Sequence, residues 1–388
     1  MFKCFLVSNR VRPMRYGIER FHNPTLTTIN TCIIFGIVTI LSLFNCQSIF
    51  AQEQPVEWGK IPRADLEMAD FPDDTNAVAV ILADVGKVTF KGDFNIIFER
   101  HRRIKILSEG GYEWGSFSIP FYAKKKYQSI DKKDIEGQTF ILNTDGSQRH
   151  VKLDKASIFD EDIDGKYRRI RFTLPALTPG CVVEYRYRVK SKNPTFLHNW
   201  KFQTSEPTRW SEFRADIPSP FNYAMIWQGI KKFDLEESTS YPWPHELKHF
   251  RTAKAFHLVI NSHRWGMRDM PALREEPFMT TPEDYRAKIR FQLQSTFWPL
   301  QAPTLVMHSW QKLAEELMDS KYFGREIERH KVLRKQARSL VADLNNPEEK
   351  MLAIYDYVRT TMAWNGEYGI YKDVDLDDAF KARHGGGP

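Results

Sequence analysis

Two histidines and a glutamate stand at the spacing of a zinc-binding motif in the segment HELKH, residues 245–249. On a helix, His245 and His249 would share one face and could bind zinc, with Glu246 as the general base. The sequence YPWP precedes the motif and the strand-like run AFHLVI follows it, so the surroundings do not favour a helix. We therefore interpret the motif as a solvated loop. A zinc hydrolase remains the third functional hypothesis.

Cys181 is the only cysteine that remains if the first 51 residues are removed, because the others are Cys4, Cys32 and Cys46. A nucleophilic thiol is usually activated by a nearby histidine or a helix N-terminus. The strand-like segment LTPGCVVEYRYRVK suggests neither, so we expect Cys181 to be a buried core thiol. A fold with one cysteine forms no internal disulfide and depends on core packing.

Three other features have both a functional and a structural interpretation. The run DEDIDGKY begins like a calcium loop but does not complete the ligand pattern, and we interpret it as a polar connecting loop. The segments YAKKKY and DKKD form a basic cluster that is too local for a nucleic-acid surface. Trp227, Trp243 and Trp298 could stack on sugars or peptides, although packing against the core is the default expectation.

The first 51 residues resemble an export signal. The apolar run INTCIIFGIVTILSLF has the length of a signal-peptide core and is short for a membrane span. Cleavage after Ala51 is the favoured outcome, with a retained anchor and lipidation at Cys46 as alternatives; translation could also start at Met14. Five basic residues and one acid precede residue 52, so more than half of the net charge of +7 belongs to this leader. Nucleic acid is therefore not an expected partner.

Short alternating runs with turn residues between them predict an antiparallel β-sandwich in residues 52–217. In FNIIFERHRRIKILS, the residues Phe98, Ile104 and Ile106 fall on a plausible inner face. Asp145 and Gly146 lie between two strand-like runs and predict a hairpin. Two strands that contain tryptophan are expected on either side of Pro207.

Residues 218–300 are predicted to form a second β unit of the same region, with the segment HRWGMRDMPALREEPFM as an extended loop between strands. From residue 301 the period becomes helical. The last long helix begins with Asn346 as N-cap and Pro347 at its first position. The fold class is therefore mainly β with a C-terminal α region, that is, α+β.

The order of several motifs resembles domain-of-unknown-function family 3857. The motifs are VEWGKIPRADLEM with DDTNAVAVILADVGKVTF, TLPALTPGCVVEYRYRV, and RWGMRDMPALREEPFM. The resemblance implies a β-rich region followed by a transglutaminase-like (papain-like) core in an exported bacterial protein. It also implies that residues 301–388 are the incomplete helical start of that core.

In active relatives of this kind, a glycine and then a cysteine open the catalytic helix, and a histidine and an acid follow. Aligned on that pattern, KARHGGGP is the turn into the helix, and the nucleophile position falls on Gly387 or Pro388. Neither residue carries a thiol or a hydroxyl. We therefore predict no catalytic residue in this chain.

The favoured function is that of an exported, non-catalytic binding or scaffold protein of the Gram-negative periplasm or cell envelope. Its partner would be a peptide, a glycan or an envelope protein, with no cofactor, and with a membrane only if the leader is retained. The alternative is a transglutaminase-like or cysteine-protease-like enzyme that acts on peptide or protein amides. Its catalytic Cys, His and Asp would lie beyond residue 388.

Overall fold

The computed structural model of the chain describes residues 56–92, 94–243, 258–298, 301–307, 309–326, 330–368, 370 and 374–387. Residues from Trp58 onward belong to one compact unit, and all elements named below lie in it. The predicted leader, including Cys4, Cys32, Cys46 and Ala51, lies outside the described residues. Within the described part of the chain, no helix is both long and apolar enough to cross a membrane.

Most elements are strands. They are β1 (Ala79–Phe90), β2 (Ile96–Ile106), β3 (Ser116–Tyr122), β4 (Gln128–Ser129), β5 (Glu136–Leu142), β6 (Gln148–Lys152), β7 (Phe159–Asp162), β8 (Tyr167–Thr173), β9 (Val182–Ser191), β10 (Trp200–Lys201), β11 (Thr208–Pro218), β12 (Phe221–Gln228), β13 (Leu235–Pro242), β14 (Val259–Met270), β15 (Lys288–Thr296), β16 (Thr304–Leu305), β17 (Ala363–Tyr368) and β18 (His384–Gly387). The helices are α1 (Arg63–Glu67), α2 (Trp310–Asp319), α3 (Lys331–Leu340), α4 (Pro347–Thr361) and α5 (Leu376–Ala382). The predicted class, mainly β with helices toward the C-terminal end, is confirmed.

A large sheet forms the centre of the fold. Its strand order is β13-β14-β11-β1-β2-β9-β5-β6, and β4 pairs with β9 beside β5. Neighbouring strands are antiparallel except β1 and β11, which are parallel. The predicted Asp-Gly hairpin is confirmed as the turn between β5 and β6, where Gly146 has a φ of +79° that favours glycine.

Two small sheets cover the inner face of the large sheet. The sheet β3-β8-β7 lies over β9, where the rings of Phe117 and Tyr185 have centroids 3.9 Å apart. The sheet β10-β15-β12, with β16 beside β15, lies over β11 and β14, where Phe291 contacts both Phe213 and Trp265. Both sheets contribute to one continuous core.

Each small sheet ends in an edge strand. Among the residues that the structure describes, β3 pairs with β8 alone and β10 with β15 alone. Gly86 on β1 lies under the ring of Trp200, and a Cβ at this position would come within 2.3 Å of the ring. A glycine is therefore required where β10 lies against the large sheet.

The segment from His263 to Met270 is a strand, so the prediction of a loop there was wrong. These residues form the second half of β14 and pair with β11 as far as Met270 opposite Thr208. Trp265 and Met267 lie on one face of the strand and are buried in the core, and the residues on the other face are Arg264, Gly266 and Arg268. Only the residues after Pro271 form the loop.

The predicted domain boundary between residues 217 and 218 stays a prediction. β11 ends at Pro218, and β14 returns from the following segment to pair with it. The two β units that we separated in the sequence therefore contribute strands to one sheet.

The start of the last long helix agrees with the prediction. The Asn346 side chain accepts a hydrogen bond from the Glu348 N–H at 2.8 Å, and Pro347 is the first residue of α4. The end of the chain differs from the predicted turn. His384–Gly387 form strand β18, which pairs in parallel with β17, because the chain reverses after α5 at Arg383, whose φ is +55°.

Candidate binding cleft

A cleft opens between the edge of β3 and the loop that leads into β10. Its volume is about 510 Å³, within the range of small-ligand and peptide sites. The floor is the inner face of β2 and β9. The lining residues are Phe98, Arg100, Arg102, Glu113, Trp114, Ser116, Phe117, Ser118, Ile119, Pro120, Gln128, Tyr185, Tyr187, Val189 and His198.

Arg100 and Asp84 form an ion pair on the cleft floor. On the neighbouring strand β9, the residue opposite Arg100 is the core residue Tyr187. Arg100 donates two hydrogen bonds to Asp84, from Nε to Oδ1 at 2.8 Å and from Nη2 to Oδ2 at 2.6 Å. Asp84 is only 1% exposed. Burial alone would raise its pKa, but Arg100 and then Arg102 outweigh burial and hold the pKa below its ordinary value. Asp84 is therefore a carboxylate at neutral pH.

Arg102 is a buried guanidinium with unused donors. The residue is 8% exposed, and its Nε and Nη2 atoms are buried without a hydrogen-bond partner. Nε lies 3.2 Å from Asp84 Oδ2, within ion-pair distance, while the guanidinium carbon lies 5.1 Å from the Trp114 ring centroid. Buried donors without acceptors are costly, and Arg102 is a lining residue of the cleft, so an acceptor that enters the cleft would meet this guanidinium.

The fixed charges of the cleft leave an excess of one positive charge at its floor. Two arginines face one carboxylate there, since Asp84 is ionised and arginine stays protonated in proteins. Glu113 also lines the cleft, but it is exposed to solvent at the rim. The floor is thus suited to a carboxylate, which a guanidinium binds in a planar, two-point geometry.

Aromatic rings form the walls around these charges. His198 stacks on Phe98 with a centroid distance of 4.1 Å and an angle of 8° between the rings. Burial lowers the pKa of His198 to about 4, so the imidazole is neutral at physiological pH. Burial also raises the pKa of Tyr187, which keeps its hydroxyl protonated. The walls are therefore neutral and the arginines supply the charge.

The sequence contains a signal for this cleft, although we did not predict the cleft from it. Arg100 and Arg102 alternate with the outer residues of β2 and have the same parity as Phe98 and Ile104, which we placed on the inner face. Two arginines at inner-face positions of a strand are unusual, because arginine is rarely buried without a partner. Asp84 and Trp114, which complete the arrangement, come from other parts of the chain.

The residues singled out from the sequence lie elsewhere. His245, Glu246 and His249 fall outside the described residues, as does Pro388, and Gly387 belongs to β18. Cys181 is confirmed as a core thiol with 1% exposure, and burial raises its pKa.

The other sequence candidates have structural roles. Trp227, Trp243 and Trp298 pack against the core, as expected. The acidic run forms β7 and its hairpin turn into β8, where Glu161 binds Arg169 and Asp162 accepts a hydrogen bond from the Gly165 N–H.

Glu326, His330 and Asp375 form a group of metal-ligand types near α5. Glu326 Oε2 lies 2.7 Å from His330 Nε2, and both residues are buried. Asp375 caps α5 by accepting from the Asp377 N–H at 3.0 Å. His330 Nδ1 lies 3.3 Å from Asp377 Oδ1. The side chains bind one another, so hydrogen bonding and charge pairing between α5 and the segment before α3 account for the group.

The fold and the cleft define a mainly β protein of the α+β class with a buried cationic site between its sheets. A DUF3857 domain is found at residues 93–273, by a match to the family model described as "Domain of Unknown Function with solved-structure structure (DUF3857)". This match covers β2 to β14 and includes every lining residue of the cleft, whereas Asp84 on β1 precedes it. No curated protein matches the sequence.

The fold resembles that of a solved structure. The crystal structure of a "putative protease" from Parabacteroides distasonis ATCC 8503 is 15% identical with a TM-score of 0.54, and the alignment covers 80% of this chain and 56% of that chain. This chain thus spans little more than half the length of that structure.

Two further structures give TM-scores near 0.25. A "putative nutrient binding protein" from Legionella pneumophila is 6% identical over 80% of this chain and 88% of that chain, with a TM-score of 0.24. Native yeast LTA4 hydrolase is 12% identical over 74% of this chain and 38% of that chain, with a TM-score of 0.25. TM-scores of this size do not indicate a shared fold.

Proposed function

We propose that this chain is an exported, non-catalytic binding protein of the cell envelope whose cleft binds a carboxylate of its ligand. The observation that carries the proposal is Arg102, a buried guanidinium that lines an open cleft, with no hydrogen-bond partner for Nη2 and only an ion pair with Asp84 for Nε. Hydrogen bonds from a charged donor to a carboxylate contribute about 1.5–3 kcal/mol each. A ligand carboxylate on Arg102 would also balance the excess positive charge beside Asp84.

One feature of the sequence supports the proposed export, and one feature of the structure supports the proposed absence of catalysis. The apolar leader favours export to the periplasm or envelope. Cys181 is the one cysteine among the described residues, and it is buried in the core with a raised pKa, so it is not an activated nucleophile.

The test is the binding of a single capped glutamate, N-acetylglutamate N-methylamide, measured by saturation-transfer NMR with the glutamine analogue as its neutral match. We expect binding of the glutamate compound by the wild type and at least a tenfold loss with Arg102→Met. Arg149→Met serves as the control, since Arg149 is exposed on β6, two strands from β9 in the large sheet, and does not line the cleft. Equal binding of both compounds, or by both variants, would refute the proposal.

A further inference from the structure

The open edge of β3 presents unpaired backbone groups to the cleft. The Ala123 N–H donates to Lys166 O and the Leu174 N–H donates to Gly115 O. The backbone N–H and C=O groups of the odd-numbered residues in this stretch therefore face β8. N–H and C=O groups of one residue in an antiparallel strand point to the same side. The backbone N–H and C=O groups of the even-numbered residues of β3 therefore face away from β8 and into the cleft.

Two of the donors on this edge already have partners. The Tyr122 N–H donates to Gln128 Oε1 at 2.8 Å, and the Ser116 N–H donates to Glu113 O. Pro120 has no N–H. The Ser118 N–H and the carbonyls of Ser116, Ser118 and Pro120 remain, and none of them is paired with another strand in the described part of the chain.

Residues from both faces of β3 line the cleft, which is expected when a strand presents its edge. Ser116, Ser118 and Pro120 alternate with Phe117 and Ile119, and all five are lining residues. Unpaired strand edges bind extended peptides through main-chain hydrogen bonds, while alternate side-chain pockets give specificity.

A strand added to this edge would lie above β2. β3 lies above β9, as the contact of Phe117 with Tyr185 shows, and strands in both layers are spaced by about 4.8 Å. In the pairing of β2 with β9, Arg102 is opposite Tyr185. An inward side chain of the added strand, next to Phe117, would therefore point at Arg102.

We propose that the cleft binds an extended peptide segment, which pairs with β3 and places an aspartate or glutamate side chain on Arg102. The inference rests on the proposed function and names its ligand class. A peptide backbone matches the alternating donor and acceptors of the β3 edge, which a uronic-acid glycan does not. An inward side chain, rather than a terminal carboxylate along the strand axis, points across the gap between the sheets.

The probe is a pentapeptide, capped at both ends, with a central glutamate flanked by valines, titrated calorimetrically into the full chain. We expect it to bind at least tenfold more tightly than the single capped glutamate and the glutamine-containing peptide. N-methylation at the glutamate and at a neighbouring valine should differ in effect by at least tenfold, because successive N–H groups of a strand face opposite edges. A further peptide carries glutamine in place of the glutamate and has a free C-terminal carboxylate. It distinguishes binding of a side-chain carboxylate from binding of a terminal carboxylate.

The outcomes separate this inference from the proposed function. Binding that depends on Arg102 but is indifferent to peptide length and to the position of N-methylation would overturn strand addition while leaving carboxylate binding intact. Tighter Arg102-dependent binding of a galacturonate oligomer, or of the peptide with only a terminal carboxylate, would likewise overturn it. Binding of every probe that is unchanged by Arg102→Met would overturn both. The inference is supported if the two N-methylated peptides differ in affinity as expected and binding also depends on Arg102.

Discussion

Arg102 lies directly opposite Tyr185 in the antiparallel pairing of β2 with β9, and it projects into a cleft instead of a closed core. Tyr185 is covered by Phe117 from β3, whereas Arg102 is covered by the Trp114 ring on one side and by open space on the other. The two residues thus mark the line where the small sheet ends. The acceptor missing from Arg102 is the basis of the proposed binding function.

Removing the acid at the rim should strengthen binding of a carboxylate. Glu113 is exposed and lines the cleft near Trp114, so its charge opposes an anionic ligand. We expect Glu113→Gln to tighten the glutamate pentapeptide by about two- to fivefold at low salt, since exposed charge interactions are worth about 0.2–1 kcal/mol. Calorimetry at two salt concentrations measures this.

Glu109→Gln is the matched control for that change, because Glu109 begins the same 3₁₀ turn and does not line the cleft. A gain of the same size with Glu109→Gln, or no gain with Glu113→Gln, would show that the rim charge does not act on the ligand.

A methyl group added at Gly86, where the large sheet contacts β10, should destabilise the fold. Gly86→Ala places a Cβ 2.3 Å from the Trp200 ring, which cannot remain where it is. We expect a loss of about 1–3 kcal/mol in the free energy of unfolding, the usual cost of overpacking. Urea denaturation measures it. Gly385→Ala, whose Cβ would have an ordinary contact of 3.4 Å, should change the urea midpoint little.

Acid should remove the stabilisation that Glu184 provides on the outer face of the large sheet. Its Oε1 binds His101 at 2.9 Å and Arg103 at 2.7 Å, and its Oε2 binds Gln138 and the Gly59 N–H. Burial alone would raise the pKa of Glu184, but His101 and Arg103 outweigh burial and lower it. A lowered carboxyl pKa stabilises the fold above the unfolded value of about 4.3. That stabilisation is lost as the pH falls through the folded value.

The variant Glu184→Gln should therefore lose about 3–5 kcal/mol at pH 7, because it breaks the buried ion pair between Glu184 and Arg103. The difference from wild type should shrink as the pH falls below about 4. Urea unfolding at pH 7 and pH 3 measures both values. Glu161→Gln, which removes a more exposed ion pair with Arg169, should cost far less than Glu184→Gln, because solvent screens exposed pairs. A pH-independent difference for Glu184→Gln would contradict the account.

The Cys181 thiol should be unreactive in the folded protein. It is 1% exposed, and burial raises its pKa, so both access and thiolate fraction are low. A thiol reagent at pH 8 should label it at least a hundredfold more slowly than in 6 M urea. Labelling at similar rates in both conditions would mean that the strand end at β9 opens in the native state.

The strands and caps were predictable where one local pattern decides them. The Asp145-Gly146 turn and the Asn346 cap depend on a few consecutive residues, and both agree with the structure. The strand through His263–Met270 was missed because it contains a glycine and charged residues, and only its pairing along β11 makes it a strand. Long-range pairing of this kind leaves little signal in the local sequence.

The cleft was not predicted, because it forms from residues that are distant in the chain. Asp84 on β1 and Trp114 on the turn before β3 reach Arg102 only through strand pairing and the packing of two sheets. The inner-face parity of Arg100 and Arg102 was available in the sequence, but nothing local shows that the cover over these two residues ends at an edge strand.

The most direct test of the central claim is a crystal structure of the full chain with the capped glutamate pentapeptide. We predict electron density for an extended peptide along β3, with its backbone bonded to the Ser118 N–H and its glutamate carboxylate within hydrogen-bond distance of the Arg102 guanidinium. Peptide density at any other surface, with the cleft holding only solvent around Arg102, would contradict the account.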